Sequence, residues 1–202
     1  MLPIWMIISL FDVLVWILPI FKQYRTDYFL FFLVLGISDV IAVILAFVFH
    51  LQTVNIYPVT TLLLMVVLLN NRKSTVVLLL VITGYFLTII FGKIHYMTIY
   101  VINAILVFIV LLLLIRELYN KIVTRRILNW FLFVLVIYFT SNVVKILAFL
   151  INPSSPGLIQ MIVTTFLQIG FGIFFCFATV ENTNWKLKPK LPEHRIDNNE
   201  LG

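Results

Sequence analysis

The chain has 202 residues, 63% of them hydrophobic and only 11% charged, where soluble domains run near 45–50% and 25%. Its net charge of +6 is spread between apolar runs rather than gathered on one face, so topology explains it and no nucleic-acid partner is expected. A single cysteine, Cys176, excludes an internal disulfide. Scattered histidines (His50, His95, His194) exclude metal-ligand spacing. The absence of a Gly-rich phosphate loop, a nucleophile elbow or an HExxH motif gives no catalytic residue and no cofactor.

An all-α polytopic membrane protein is the expected fold class. A helix needs about 20 apolar residues to cross the hydrocarbon core, and seven segments approach that, at about 3–21, 28–50, 53–70, 75–92, 95–115, 127–151 and 157–180. Span 1 has Trp5 at one end and Asp12 near its middle. It lacks a positive n-region and an A-x-A site, so it is expected to remain rather than be cleaved as a signal peptide. Span 2 carries Asp39 at mid-depth. Asp39, Val43, Ala46 and His50 share one stripe, and Ser38, Ala42 and Ala46 have the small-xxx-small spacing of close helix packing. Span 3 is the weakest, because its clean run TTLLLMVVLL is short; Pro58 is tolerated in its first turn, where the N–H is unpaired anyway. Span 5 contributes Asn103, and the basic loop RELYNKIVTRR follows it. Span 6 contains YFTSNVVKIL, in which Tyr138, Asn142 and Lys145 fall at i, i+4 and i+7. In span 7, Gln160, Thr164, Gln168 and Gly172 recur every four residues. The polar, Pro-containing stretch 184–202 reads as a disordered cytoplasmic tail.

Charge tests this segmentation independently. Of the 14 lysines and arginines, all but Lys93 and Lys145 fall in loops 1–2, 3–4 and 5–6 or in the tail, on one side of the membrane. By the positive-inside rule the N-terminus is outside and the C-terminus inside. Two pairs of segments repeat: SDVIAVI at 38–44 with SNVVKIL at 141–147, and VTTLLLM at 59–65 with VTTFLQI at 163–169. The repeat aligns span 2 with span 6 and span 3 with span 7, which run in the same direction. It predicts a 3+1+3 plan, two parallel triple-helix units related by an axis along the membrane normal. Chance similarity within a small apolar alphabet is the alternative.

Carboxylates at the bilayer centre cost at least about 2.5–3.5 kcal/mol, so Asp12 and Asp39 should face the interior of the bundle. The candidate ligand-binding set is Asp39, Asn142, Lys145, Tyr138, Asp12 and Gln168. Lys145 either pairs with a carboxylate or snorkels to the outer headgroups. The blander reading of the amides and threonines is helix-to-helix hydrogen bonding, worth about 0.6 kcal/mol each.

WFLFVLVIYFTSN at 130–142, with GISD at 36–39 and NIYP at 55–58, resembles small seven-helix membrane proteins of Bacteroidota-type bacteria associated with sensor histidine kinases. The resemblance implies a bacterial inner-membrane location and a signalling partner; the 116–126 loop, the largest cytoplasmic element, would be the contact, with plain topology determination as the alternative role of its charges. The architecture is also similar to SWEET and PQ-loop transporters, without their hinge prolines or Pro-Gln motif. Span 7 has no lysine, which separates the chain from retinal-binding rhodopsins. Three functions follow: a non-enzymatic sensory or accessory module binding a small ligand within the bundle; a small-solute transporter with its site at the repeat interface; and an intramembrane lipid hydrolase using Asp12, Asp39 and His50. The hydrolase is the remotest, because Asp39 and His50 lie about 16 Å apart along one helix.

Overall fold

The computed structural model describes residues 4–48, 53–69, 81–85, 95–151 and 158–186, with side chains from Leu10 onward in the first helix and from Val163 onward in the last. The described residues form seven α-helices: α1 (Ile4–Lys22), α2 (Phe29–Phe47), α3 (Ile56–Leu69), α4 (81–85), α5 (Tyr96–Arg125), α6 (Trp130–Ile151) and α7 (Leu158–Phe177). A 3-10 turn, Thr53–Asn55, leads into α3. Two short strands, β1 (Ile127–Asn129) and β2 (Asn184–Lys186), form an antiparallel pair. Three helices, α2, α5 and α6, are long and apolar enough to cross a membrane; α3 and the 163–177 part of α7 are shorter and apolar. Most of the fourth expected span, together with Arg72, Lys73, Lys93 and the stretch 187–202, lies outside the described residues.

Three boundaries differ from the sequence reading. The helix expected to stop near 115 continues to Arg125, so RELYNKIVTRR is the end of α5 rather than a loop. Its charges interrupt the apolar run but not the helix, since Glu117 and Lys121 form an i,i+4 pair at 3.7 Å. Arg126 then stops the helix in the left-handed conformation (φ 50°), its N–H bonded to the Lys121 carbonyl. The segment 127–129 is a strand rather than the start of α6. The expected tail begins as β2, with Leu128 opposite Trp185.

The helices close into a ring. α1 packs on α2 and α7, α2 on α3, α3 on α5, α5 on α6 and α6 on α7. At one end of the ring, side-chain amides tie the chain together in a polar clasp. Asn129 caps α6: its Oδ1 accepts from Leu132 N–H (2.9 Å), while its Nδ2 donates to the Val180 carbonyl (2.8 Å) and to Asn184 Oδ1 (2.6 Å). Trp130 N–H donates to the Thr183 carbonyl and Phe131 N–H to Thr183 Oγ1. The first three amides of α6, which a helix leaves unpaired, are thus all satisfied. Gln23, fully buried between α1 and α2, donates to the Ala178 carbonyl (2.7 Å) and the Phe175 carbonyl (3.3 Å) at the end of α7.

Inside the ring, next to the clasp, lies a layer of four rings, one from each of four helices: Trp16, Phe32, Phe131 and Phe175. Their centroids stand 5.0–6.4 Å apart, and all four are essentially inaccessible. Each tilted or edge-on aromatic pair contributes about 0.5–1.5 kcal/mol. Two glycines let α1 sit this deep. A Cβ on Gly36 of α2 would meet Ile20 Cδ1 at 2.6 Å and the Trp16 carbonyl at 3.2 Å; one on Gly172 of α7 would meet Val15 Cγ1 at 2.5 Å. The two sites differ in what can yield. Ile20 Cδ1 is the free end of a flexible side chain, whereas β-branched Val15 has essentially one helical rotamer. Gly172→Ala is therefore expected to destabilise the fold by about 1–3 kcal/mol. Gly36→Ala should cost less, since Ile20 Cδ1 can turn aside and alanine's helix preference of about 1 kcal/mol offsets part of the squeeze, leaving the 3.2 Å approach to the Trp16 carbonyl as the residual strain. Thermal unfolding of the two variants in detergent separates them; equal losses would refute the difference in crowding.

Candidate functional site

Away from the clasp, packing changes. On α1, α2, α6 and α7, no described side chain beyond Val15, Gly36, Phe139 and Gly172 is buried. On α3 and α5, burial continues in that direction, at Pro58, Thr61 and Leu62 and at Ile99 and Asn103. Four of the six ring helices thus loosen past the aromatic layer, while α3 and α5 stay closed.

The six candidate residues stand at this transition. Asp12 lies one turn from Trp16, Asp39 one turn from Leu35, Asn142 one turn from Tyr138, and Gln168 one turn from Gly172. The Tyr138 ring lies 4.8 Å from that of Trp16 and is itself buried, so it forms the surface of the aromatic layer on which the polar groups rest. Lys145 Nζ donates to Gln168 Oε1 (3.4 Å), and Gln168 Nε2 donates to Asn142 Oδ1 (3.3 Å). This short chain bridges α6 and α7. Asp12, Asp39 and Lys145 lie within range of one another's charge, and Tyr138 within range of both carboxylates. Helices α1, α2, α6 and α7 thus bring all six side chains together, because i, i+4 spacing puts each on the ring-facing stripe of its helix.

Lys145 donates its described hydrogen bond to the half-buried Gln168 rather than to either carboxylate. It does not form a contact ion pair with Asp39 or Asp12, since the one ion pair within 4 Å among the described residues is Glu117–Lys121. Asp12 Oδ1 is buried and has no hydrogen-bond partner among the described residues. The cluster therefore holds a lysine with N–H donors to spare and a carboxyl oxygen, Asp12 Oδ1, without a described partner, near one another but not in contact.

Other residues fall elsewhere. Asn103 is buried between α3 and α5, where Thr61 Oγ1 donates to its Oδ1 (3.1 Å). It is a helix-to-helix bond rather than a member of the cluster, as the bland reading of the amides has it. His50 and the side chain of Gln160 lie outside the described residues. No group of His, Cys, Asp and Glu able to hold a metal occurs among the described residues. Cys176 packs with its Sγ 3.9 Å from the Val15 carbonyl. The sequence reading missed Gln23, Asn129 and the four-ring layer. A concavity of about 640 Å³ lies at the clasp, lined by Trp130, Asn182, Thr183, Asn184, Trp185 and Lys186. Compared with family models, curated proteins and solved structures, the chain matches none, so its function has to be argued from the site itself.

Proposed function

We propose that the chain is a seven-span protein of the bacterial inner membrane that binds a small polar solute between two repeated halves and carries it across the bilayer. The observation that carries this reading is the meeting of Asp12 and Asp39 from α1 and α2 with Tyr138, Asn142, Lys145 and Gln168 from α6 and α7. Ionisable groups at mid-membrane depth are expensive and default to function, and midplane sites between repeats are how such carriers are built.

Two further features support it. The clasp gathers loop α1–α2, loop α5–α6 and the segment after α7 at one end of the ring. Those pieces carry Lys22, Arg25, Arg126 and Lys186, so by charge this is the cytoplasmic end, with the N-terminus opposite. The ring contacts also suit the 3+1+3 plan. Exchanging α1, α2, α3 with α5, α6, α7 turns the α1–α2, α2–α3 and α1–α7 contacts into α5–α6, α6–α7 and α3–α5. In this reading the aromatic layer is the closed inner gate, and the loosened half opens outward.

A sensory module is the second reading, and the length of α5 favours it. Its last turns, over 116–125, continue past the apolar run and offer Arg116, Tyr119 and Arg125 at the surface for a partner. A sensor would use the same solute site without flux. Uptake into proteoliposomes separates the two: solute accumulation that depends on Asp39 and Lys145 supports a carrier, whereas binding without accumulation refutes it.

A further inference from the structure

We propose that the solute is a small zwitterion, an amino-acid-like molecule whose carboxylate meets Lys145 and Gln168 and whose ammonium meets Asp12 and Asp39 above the Trp16 and Tyr138 rings. This rests on the site being a solute site, and it names the chemical class.

The geometry supplies both halves of the recognition. Lys145 has three N–H donors, and its one described partner is Gln168 Oε1 at the long distance of 3.4 Å. Gln168 is oriented by its own bond to Asn142, so a fixed amide flanks the ammonium. On the facing helices, Asp12 Oδ1 is buried with its acceptor capacity unused, and Asp39 lies within range of it. Directly beneath, the Trp16 and Tyr138 rings stand 4.8 Å apart at a tilt of 43°. Their polar edges meet the cluster, Trp16 bonding to Asp12 and Tyr138 to Asn142, so the floor orients a carboxylate and an amide toward the solute. The lysine and the carboxylates sense each other's charge without closing to contact, and a solute with one charge of each sign satisfies both. A bare amine would satisfy the carboxylates while sitting in the field of Lys145. A bare carboxylic acid would satisfy Lys145 while facing two carboxylates. Each pays like-charge repulsion that the zwitterion avoids.

The test is binding to the full-length protein in nanodiscs by calorimetry, with alanine, leucine and 4-aminobutyrate as zwitterions, against ethylamine and isoamylamine as amines and propionate and 4-methylpentanoate as acids. At least one zwitterion is expected to bind about tenfold or more tightly than its matched amine and acid, as befits loss of one charge-assisted contact set. Lys145→Met should erase the preference over the amine, and Asp12→Asn the preference over the acid. An amine that binds wild type as tightly as its amino acid overturns the proposal, as does binding of none of the panel. The wild-type comparison decides the matter even if a variant does not fold. Failure of the class is distinguishable from failure of the carrier reading. Accumulation of an amine alone would keep the carrier and reject the zwitterion; zwitterion binding without accumulation would do the reverse.

Discussion

Lys145→Met and Asp39→Asn are each expected to cut the initial rate of solute uptake by at least about tenfold, since a hydrogen bond to a charged group is worth about 1.5–3 kcal/mol. The loss should come without unfolding. Lys145 is half-buried, makes no contact ion pair, and its one described hydrogen bond is the 3.4 Å contact with Gln168. Asp39 lies outside the aromatic layer that closes the ring. Truncating either removes a charge from the cluster while leaving Trp16, Phe32, Phe131 and Phe175 packed as before. A paired change at Thr61 and Asn103, to valine and leucine, is the control. It removes a polar contact of similar depth on the closed α3–α5 side and should leave uptake within about twofold, because such bonds contribute only about 0.6 kcal/mol. Parallel uptake and melting measurements separate the outcomes. Uptake that survives both charge changes would remove the cluster from the mechanism.

Asn129→Ala is expected to be the most destabilising single change at the clasp, by about 2–4 kcal/mol. Three interactions leave with one amide: the cap on Leu132 N–H and the bonds to the Val180 carbonyl and Asn184 Oδ1. The site is fully buried, so the orphaned groups cannot turn to water at no cost. Asn129→Asp should recover only the cap on Leu132 N–H, because a carboxylate can donate neither to Val180 nor to Asn184 Oδ1. Melting curves of the two variants against wild type test this ordering. If alanine costs no more than a surface substitution, the clasp does not hold that end of the ring together.

The apolar lengths and the loop charges were enough to read seven helices and their order, because lipid-length runs of leucine, isoleucine, valine and phenylalanine admit few other structures. Where charge enters a helix, that reading fails. The end of α5 reads as a loop because Arg116, Glu117 and Lys121 end the apolar run, although an i,i+4 pair and helix-forming residues carry the helix on to Arg125. The six cluster residues were legible because polar side chains on an apolar helix mark its inward stripe. Their partners were not. The sequence offers Lys145 the carboxylates or the headgroups, whereas its described hydrogen bond is to Gln168, a residue already on the neighbouring stripe. Gln23 is not legible because an amide in a basic loop reads as solvated, and Asn129 because it stands in the first turn expected of span 6; only the fold shows each bonding to the chain that ends α7. The aromatic layer was missed for the opposite reason. In a helix that is apolar all round, hydropathy does not say which phenylalanines turn inward.

Thiol accessibility at position 142 tests the outward-opening site most directly. With Cys176 replaced by alanine, a single cysteine at position 142 is compared with one at position 135, two turns toward the clasp and fully buried. A membrane-impermeant maleimide added outside should label position 142 and leave position 135 untouched, and the same reagent added inside should label neither. Labelling of position 142 only by a lipid-soluble reagent, or only from inside, would contradict a polar site that opens outward above a closed aromatic layer.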